Sequence, residues 1–135
     1  MTAPDHVSSI IIVDDDPDVR RIIRHPLEKR QIGAIDCGSL AELRDILGKT
    51  KPSLIFLDLG LPDAGEGELL DALADAHCNA WIQLISGKSQ TDLAELLLAG
   101  EECGLRMLPP ITKPFKRDAV LAVVDLVGTM METAR

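Results

Sequence analysis

Five side chains in this sequence have the types needed to handle a phosphoryl group: Asp14, Asp15, Asp58, Ser86 and Lys113. Three carboxylates brought together repel strongly at neutral pH unless a cation joins them. A hard divalent ion is the natural neutraliser, and Mg²⁺ fits best. It takes one or two carboxylates, keeps several waters and leaves room for a phosphate oxygen. A lysine adds a point charge opposite, and a hydroxyl adds one donor. Together they describe a cradle for a phosphoryl group in transfer, with Asp58 as the nucleophile that forms an acyl phosphate.

Such chemistry requires the five residues to meet, and the elements around them supply the reason they should. Leu54-Ile55-Phe56-Leu57 is a continuous apolar run that ends in Asp58 and is followed by turn residues as far as Gly65. Runs of this kind read as strands buried on both faces, which belong to parallel sheets covered by helices. Ile10-Ile11-Ile12-Val13 is a second such strand and delivers Asp14-Asp15-Asp16. Ala80 to Ile85 is another and delivers Ser86-Gly87-Lys88, while a short strand over 105–108 runs on toward Lys113. Gly33 to Cys37 reads as a weaker strand.

Helical stretches alternate with these strands. Asp16 suits an N-cap, Pro17 the first helical position, and Asp18 the positive end of the dipole. Val19, Ile22, Ile23 and Leu27 then give an apolar face, interrupted by Pro26, which is expected to kink the helix. Ser39 caps a helix to about Leu47, and further helices are expected over 66–76, from Thr91 or Asp92 to 103, and over 116–131. Five strands alternating with five helices predict one doubly wound parallel α/β sheet with helices on both faces. All strand ends then share one edge, where open α/β folds place their ligands.

Composition narrows the function further. The chain has 135 residues, 46% of them hydrophobic, which suits one domain with its own core. A formal charge of −8 argues against direct nucleic-acid binding, which needs clustered Lys and Arg. Phe56, Trp81 and Phe115 are its aromatics, so no base-stacking surface is expected. No apolar run approaches the ~18 residues of a membrane helix, and the start of the chain lacks a signal-like segment. Cys37, Cys78 and Cys103 lack metal-ligand spacing and are expected to be buried free thiols in a reducing cytoplasm. His6, His25 and His77 are expected at the surface.

The same residues resemble the receiver domains of response regulators in two-component signalling, the CheY-like family. Val13-Asp14-Asp15-Asp16-Pro17-Asp18 is similar to that family's acidic pocket, and Asp58-Leu59-Gly60-Leu61-Pro62-Asp63 to its phosphorylation loop. Ser86-Gly87 matches its hydroxyl-plus-small-residue step, and Lys113-Pro114-Phe115 its lysine-proline-aromatic motif. The intervals agree as well: 43 residues from Asp15 to Asp58, 28 more to Ser86, and 55 from Asp58 to Lys113.

The resemblance implies a flavodoxin-like topology with strand order 2-1-3-4-5. It implies a receiver over residues 8–131, after a disordered lead-in over 1–7 and before a tail over 132–135. It implies that Asp58 takes phosphate from a phosphohistidine on a histidine kinase or histidine phosphotransfer protein. Asp15, Asp58 and the Gly60 carbonyl would bind Mg²⁺ directly, and Asp14 would hold a metal-bound water. The Ser86 hydroxyl and Gly87 amide would contact the phosphoryl group, Lys113 would pair with it, and a cis bond would precede Pro114. Gly60 and Lys88 would flank the phosphate and tune its lifetime. The domain would be a switch acting on an output domain or effector, rather than a turnover enzyme. A homodimer is also admitted, although the face of the fourth helix, fifth strand and fifth helix that the family commonly uses for dimerisation or partner docking is expected to be atypical here.

Two departures stand out. The family's aromatic three residues before the lysine is Pro110 here, and the glycine eight residues after the acceptor is Glu66. Relay by a swinging aromatic is therefore not expected. Singly, each site residue has an ordinary explanation, such as an acidic helix start, turn residues or a solvated lysine. Their joint placement at strand ends is what separates them from that background. Two other functions fit parts of the pattern. One is a receiver-like interaction module without phosphorylation switching. The other is a haloacid-dehalogenase-type phosphatase using Asp14 and Asp16, which would need a further acidic pair from Asp118 and Asp125.

Overall fold

The structure is a computed structural model that describes residues 9–87 and 90–133. Among the expectations above, the lead-in over 1–7, His6, Lys88 and residues 134–135 of the tail lie outside the described residues. Elements alternate along the chain: β1 (Ile10–Val13), α1 (Pro17–Lys29), β2 (Ala34–Cys37), α2 (Leu40–Lys49), β3 (Leu54–Leu57), α3 (Glu66–Asp75), β4 (Trp81–Ser86), α4 (Gln90–Glu102), β5 (Arg106–Met107), β6 (Ile111–Thr112) and α5 (Arg117–Thr133). The strands pair in parallel in the order β2-β1-β3-β4-β5, with β6 also pairing β4. The predicted doubly wound sheet is therefore present.

The alternation of side chains along each strand builds two cores, one on each face of the sheet. Ile11, Val13, Ile55, Leu57, Ile82 and Leu84 pack on one face with α2 and α3 side chains such as Leu43, Leu69 and Leu73. Ile10, Ile12, Leu54, Phe56 and Ile85 pack on the other with Ile23 and Leu27 of α1 and Val120, Val124 and Val127 of α5. This explains why β1 and β3 are apolar at every position: both of their faces are covered.

Helix starts follow their caps. The Asp16 side chain accepts from the Asp18 N–H at 2.9 Å, with Pro17 in the first turn. The Ser39 hydroxyl accepts from the Glu42 N–H at 3.2 Å. Pro26 sits inside α1 and is buried.

Three expectations need correction. Ile22 is not part of the inward stripe but 49% exposed, because Val19, Ile23, Pro26 and Leu27 already fill the buried side of α1. Cys103 is exposed just past the end of α4, and Cys78 is half-buried, so Cys37 alone of the three thiols is buried. Burial pushes the Cys37 thiol up to about 11. The fifth strand is not one run over 105–108 but two pieces on either side of Pro109-Pro110. Proline has no N–H to give a ladder, which explains the interruption. Buried Gln83 holds the gap: its Nε2 donates to the Leu84 carbonyl at 3.0 Å and the Pro109 carbonyl at 2.8 Å.

Candidate functional site: an acidic pocket at the carboxyl edge of the sheet

Backbone register brings the site together. β1 and β3 pair Val13 with Leu57, so the residues that follow each strand emerge side by side. The Asp58 N–H donates to the Val13 carbonyl at 2.9 Å. β4 and β6 pair Ser86 with Thr112, and the Lys113 N–H donates to the Ser86 carbonyl at 2.9 Å. Lys113 therefore starts beside Ser86 and reaches across the edge. Its Nζ lies 3.2 Å from Asp14 Oδ2 and 3.2 Å from Asp58 Oδ2. The peptide bond between Lys113 and Pro114 is cis, as the resemblance implied.

Each carboxylate is held at a second point. Asp14 Oδ1 accepts from the Asp16 N–H at 2.9 Å, and Asp58 Oδ1 accepts from the Gly60 N–H at 3.1 Å. The Asp14 side chain is 2% exposed and that of Asp58 15%. Burial raises the Asp14 carboxyl above the ordinary carboxylate range. The Asp16 N–H opposes that rise, the Asp58 charge adds to it, and Lys113 opposes it again. Burial alone would depress the Lys113 ammonium. The charges of Asp58 and Asp14 outweigh burial and hold it above the usual lysine value.

Carboxylate oxygens of Asp14, Asp15 and Asp58 all lie within 4.8 Å of one another. Three anionic oxygens so close, one of them on a buried side chain, suit a hard divalent cation with oxygen ligands. The acidic pocket thus fits both Mg²⁺ and phosphorylation.

The structure brings Asp14, Asp15, Asp58 and Lys113 into one cluster. Ser86 is buried at the end of β4, next to β3, and Gly87 follows it exposed at the same edge. Gly60 reaches Asp58 through its backbone. The residues of the phosphatase alternative do not gather. Asp16 caps α1, Asp118 is exposed, and Asp125 pairs with Arg30 at 2.6 Å on the surface.

Two residues near the site were not singled out from the sequence. Asp63, in the loop after Asp58, accepts from the Leu40 N–H at 2.9 Å and the Ala41 N–H at 3.3 Å. It ties that loop to the start of α2, and the Leu40 contact holds its carboxyl below the ordinary range. Arg20 donates from Nη1 to the Asp14 carbonyl and from Nε to Asp36 Oδ2 at 3.2 Å. Arg20 and Arg24 are four apart on α1 and both meet Asp36, so their shared helical face was the available signal. Pro110, which replaces the family aromatic, lines a cleft of about 310 Å³ with Leu93, Ala94, Leu97 and Thr112.

A family model described as the response regulator receiver domain matches residues 10–125. The transcriptional regulatory protein KdpE of Mycobacterium tuberculosis is 28% identical over 113 residues, which cover 84% of this chain and 47% of that protein. The nitrogen assimilation regulatory protein NtrX of Azorhizobium caulinodans is 31% identical over 122 residues, covering 86% of this chain and 25% of that one. The chain thus spans about half the length of KdpE, and less of NtrX. Among solved structures, the chemotaxis response regulator CheY4 of Vibrio cholerae superposes with a TM-score of 0.75 at 16% identity, covering 90% of this chain and 98% of that one. The Francisella response regulator 1452 receiver domain gives a TM-score of 0.78 at 20% identity, covering 91% and 98%. The two solved neighbours share its fold, and the family match spans both the pocket and the sheet that builds it: the chain belongs to the response regulator receiver domains of two-component systems.

Proposed function

We propose that Asp58 is the phosphoacceptor, that it takes its phosphoryl group from a phosphohistidine with Mg²⁺ bound in the pocket, and that the product state regulates a partner. The donor would be a histidine kinase or a histidine phosphotransfer protein. The receiver unit is taken as residues 8–131, acting in the cytoplasm, where unpaired thiols persist. The observation that carries this reading is Lys113 Nζ at 3.2 Å from both Asp14 and Asp58, with the Asp15 carboxylate in the same cluster.

The roles are those the receiver resemblance implies, and the clustering of Asp14, Asp15, Asp58 and Lys113 supports them. Asp14, Asp15, Asp58 and the Gly60 carbonyl would hold Mg²⁺, with Asp14 acting through a water. When bound, the ion would supply positive charge to the phosphoryl oxygens. Asp58 Oδ attacks phosphorus as the histidine N–P bond breaks, forming an acyl phosphate and releasing the imidazole. Lys113, already directed at Asp58, passes its ammonium to the new phosphoryl oxygens. The Ser86 hydroxyl and the Gly87 amide add neutral donors. Phosphorylation brings roughly two negative charges and three acceptor oxygens. Ser86 and Lys113 would follow them, biasing the α4 side between two states. The domain is a signalling switch, and its slow self-hydrolysis resets it.

With a charge of −8, this chain would act on an output segment or effector protein rather than on nucleic acid directly. Pro110 favours a second reading for the output step alone: a receiver that docks partners with altered switching.

Incubation with acetyl phosphate and Mg²⁺ tests the proposal. One acid-resistant, base-labile phosphoryl group should appear on Asp58, and Asp58→Asn should remove it. Unchanged labelling of that variant would refute the assignment. Multiple turnover without an adduct would point instead to a phosphatase.

A further inference from the structure

We infer that Arg20 is a positioning residue for the Mg²⁺ pocket; the inference rests on the function proposed above. Arg20 touches none of the pocket carboxylates. It grips the main chain that carries two of them. β1 ends at Val13, and just beyond it the Arg20 guanidinium takes the Asp14 carbonyl. The Asp14 N–H is held from the other side by the Cys37 carbonyl at 3.0 Å. Both polar groups of the Asp14 main chain are thus engaged.

A peptide unit is planar, so pinning the Asp14 carbonyl also sets the plane from which Asp15 departs. Asp15 is exposed, yet its carboxylate lies in the cluster with Asp14 and Asp58. The arginine therefore fixes the starting direction of one ligand and the seat of another.

Arg20 is itself held. Its Nε donates to Asp36 Oδ2 at 3.2 Å, and Asp36 also receives Nη2 of Arg24. The side chain is only 18% exposed. The forked guanidinium can serve Asp36 and the carbonyl at once, which the single ammonium of a lysine does poorly. The adjoining chain leaves room for it at Gly38, where a Cβ would fall 3.3 Å from Arg20 Nη1. A Cβ there would crowd both the guanidinium and Glu42 Oε1, each at 3.3 Å. Supports of this kind around a metal site, when mutated, typically cost about 10–100-fold in metal affinity.

The test is calorimetric titration of the full chain with Mg²⁺, alongside melting in EDTA. Arg20→Met should raise the Mg²⁺ dissociation constant about tenfold or more. Arg20→Lys should fall between it and wild type. Gly38→Ala, which keeps the arginine but crowds it, should weaken Mg²⁺ in the same direction. Acetyl phosphate labelling of Arg20→Met should need more Mg²⁺ and recover at saturation. Wild-type Mg²⁺ affinity in a folded Arg20→Met would overturn the inference and leave Asp58 as acceptor. So would a loss matched by the unfolded fraction in EDTA. If Arg20→Met does not fold, Arg20→Lys and Gly38→Ala decide, and wild-type affinity in both overturns it. A wild-type chain that takes up neither Mg²⁺ nor phosphate would sink the pocket reading, and this inference with it.

Discussion

The acidic pocket and the α4–β5 face share one sheet but are built differently. The pocket stands on β1 and β3, four residues each and paired residue for residue. Its carboxylates on Asp14 and Asp58 are each held by a lysine and a backbone N–H. The α4–β5 face stands on two strands of two residues, parted by Pro109-Pro110. It has an open cleft beside Pro110 and leaves Leu98 of α4 56% exposed. Main-chain register positions the pocket residues, whereas the α4–β5 face rests on short strands and carries Pro110 at its cleft.

The largest test of this contrast is Lys113→Met. It removes the cation from buried Asp14 and should cost the metal-free domain roughly 1–3 kcal/mol at neutral pH, read from chemical denaturation. The sign with pH follows from the raised Asp14 carboxyl. Folded Asp14 holds its proton more tightly than the unfolded chain does. Metal-free stability therefore falls as pH rises from 3.8 through the folded value, and more steeply in the variant. Lysine's own contribution is complete below 10.5 and is lost as pH rises through its elevated folded value. A variant as stable as wild type at neutral pH would show that the ammonium does not hold the pocket.

A comparable but spatially separate effect is expected at Gly100, where α4 meets β5. A Cβ there would lie 2.6 Å from Met107 Sδ and 2.9 Å from its Cγ. The methionine is flexible, so Gly100→Ala should be mild, while Gly100→Leu should cost about 1–3 kcal/mol. Adduct formation by the folded Gly100→Leu variant should persist. Its loss would mean that the two regions are coupled more tightly than their construction implies.

The smallest effect concerns the helix ends far from both regions. Gln31 follows α1 with φ 60°, and the N–H groups of Gln31 and Ile32 donate to the carbonyls of Glu28 and Leu27, both at 2.9 Å. This is the left-handed closure that favours glycine. Gln31→Gly should add about 0.5–1 kcal/mol and leave Mg²⁺ affinity unchanged.

Much of this molecule was legible because its informative residues are local. β1 and β3 show as unbroken apolar runs and β4 as one interrupted only by Gln83, and the residues that close them are those of the pocket. Asp16-Pro17 and Ser39 announce helices through bonds within a few positions. What was not legible depends on distant contacts. Nothing near Asp63 says that it meets the start of α2, and the shared face of Arg20 and Arg24 does not say that Asp36 lies opposite it. Helical spacing alone makes the stripe of α1 one residue too wide, since it does not show that Ile22 stays at the surface while Pro26 is buried. The strand expected over 105–108 does not reveal that pairing with β4 resumes beyond Pro109-Pro110, because that pairing is a contact with a distant strand.

That gap shapes how the molecule meets its neighbours. Strands at the margin of a sheet invite foreign strands to add on, through a continuous row of main-chain donors and acceptors. Here two successive residues on that margin, Pro109 and Pro110, offer no donor, and Gln83 already occupies the Pro109 carbonyl. A peptide seeking to zip onto this side finds a broken template, which protects the domain from edge-to-edge aggregation.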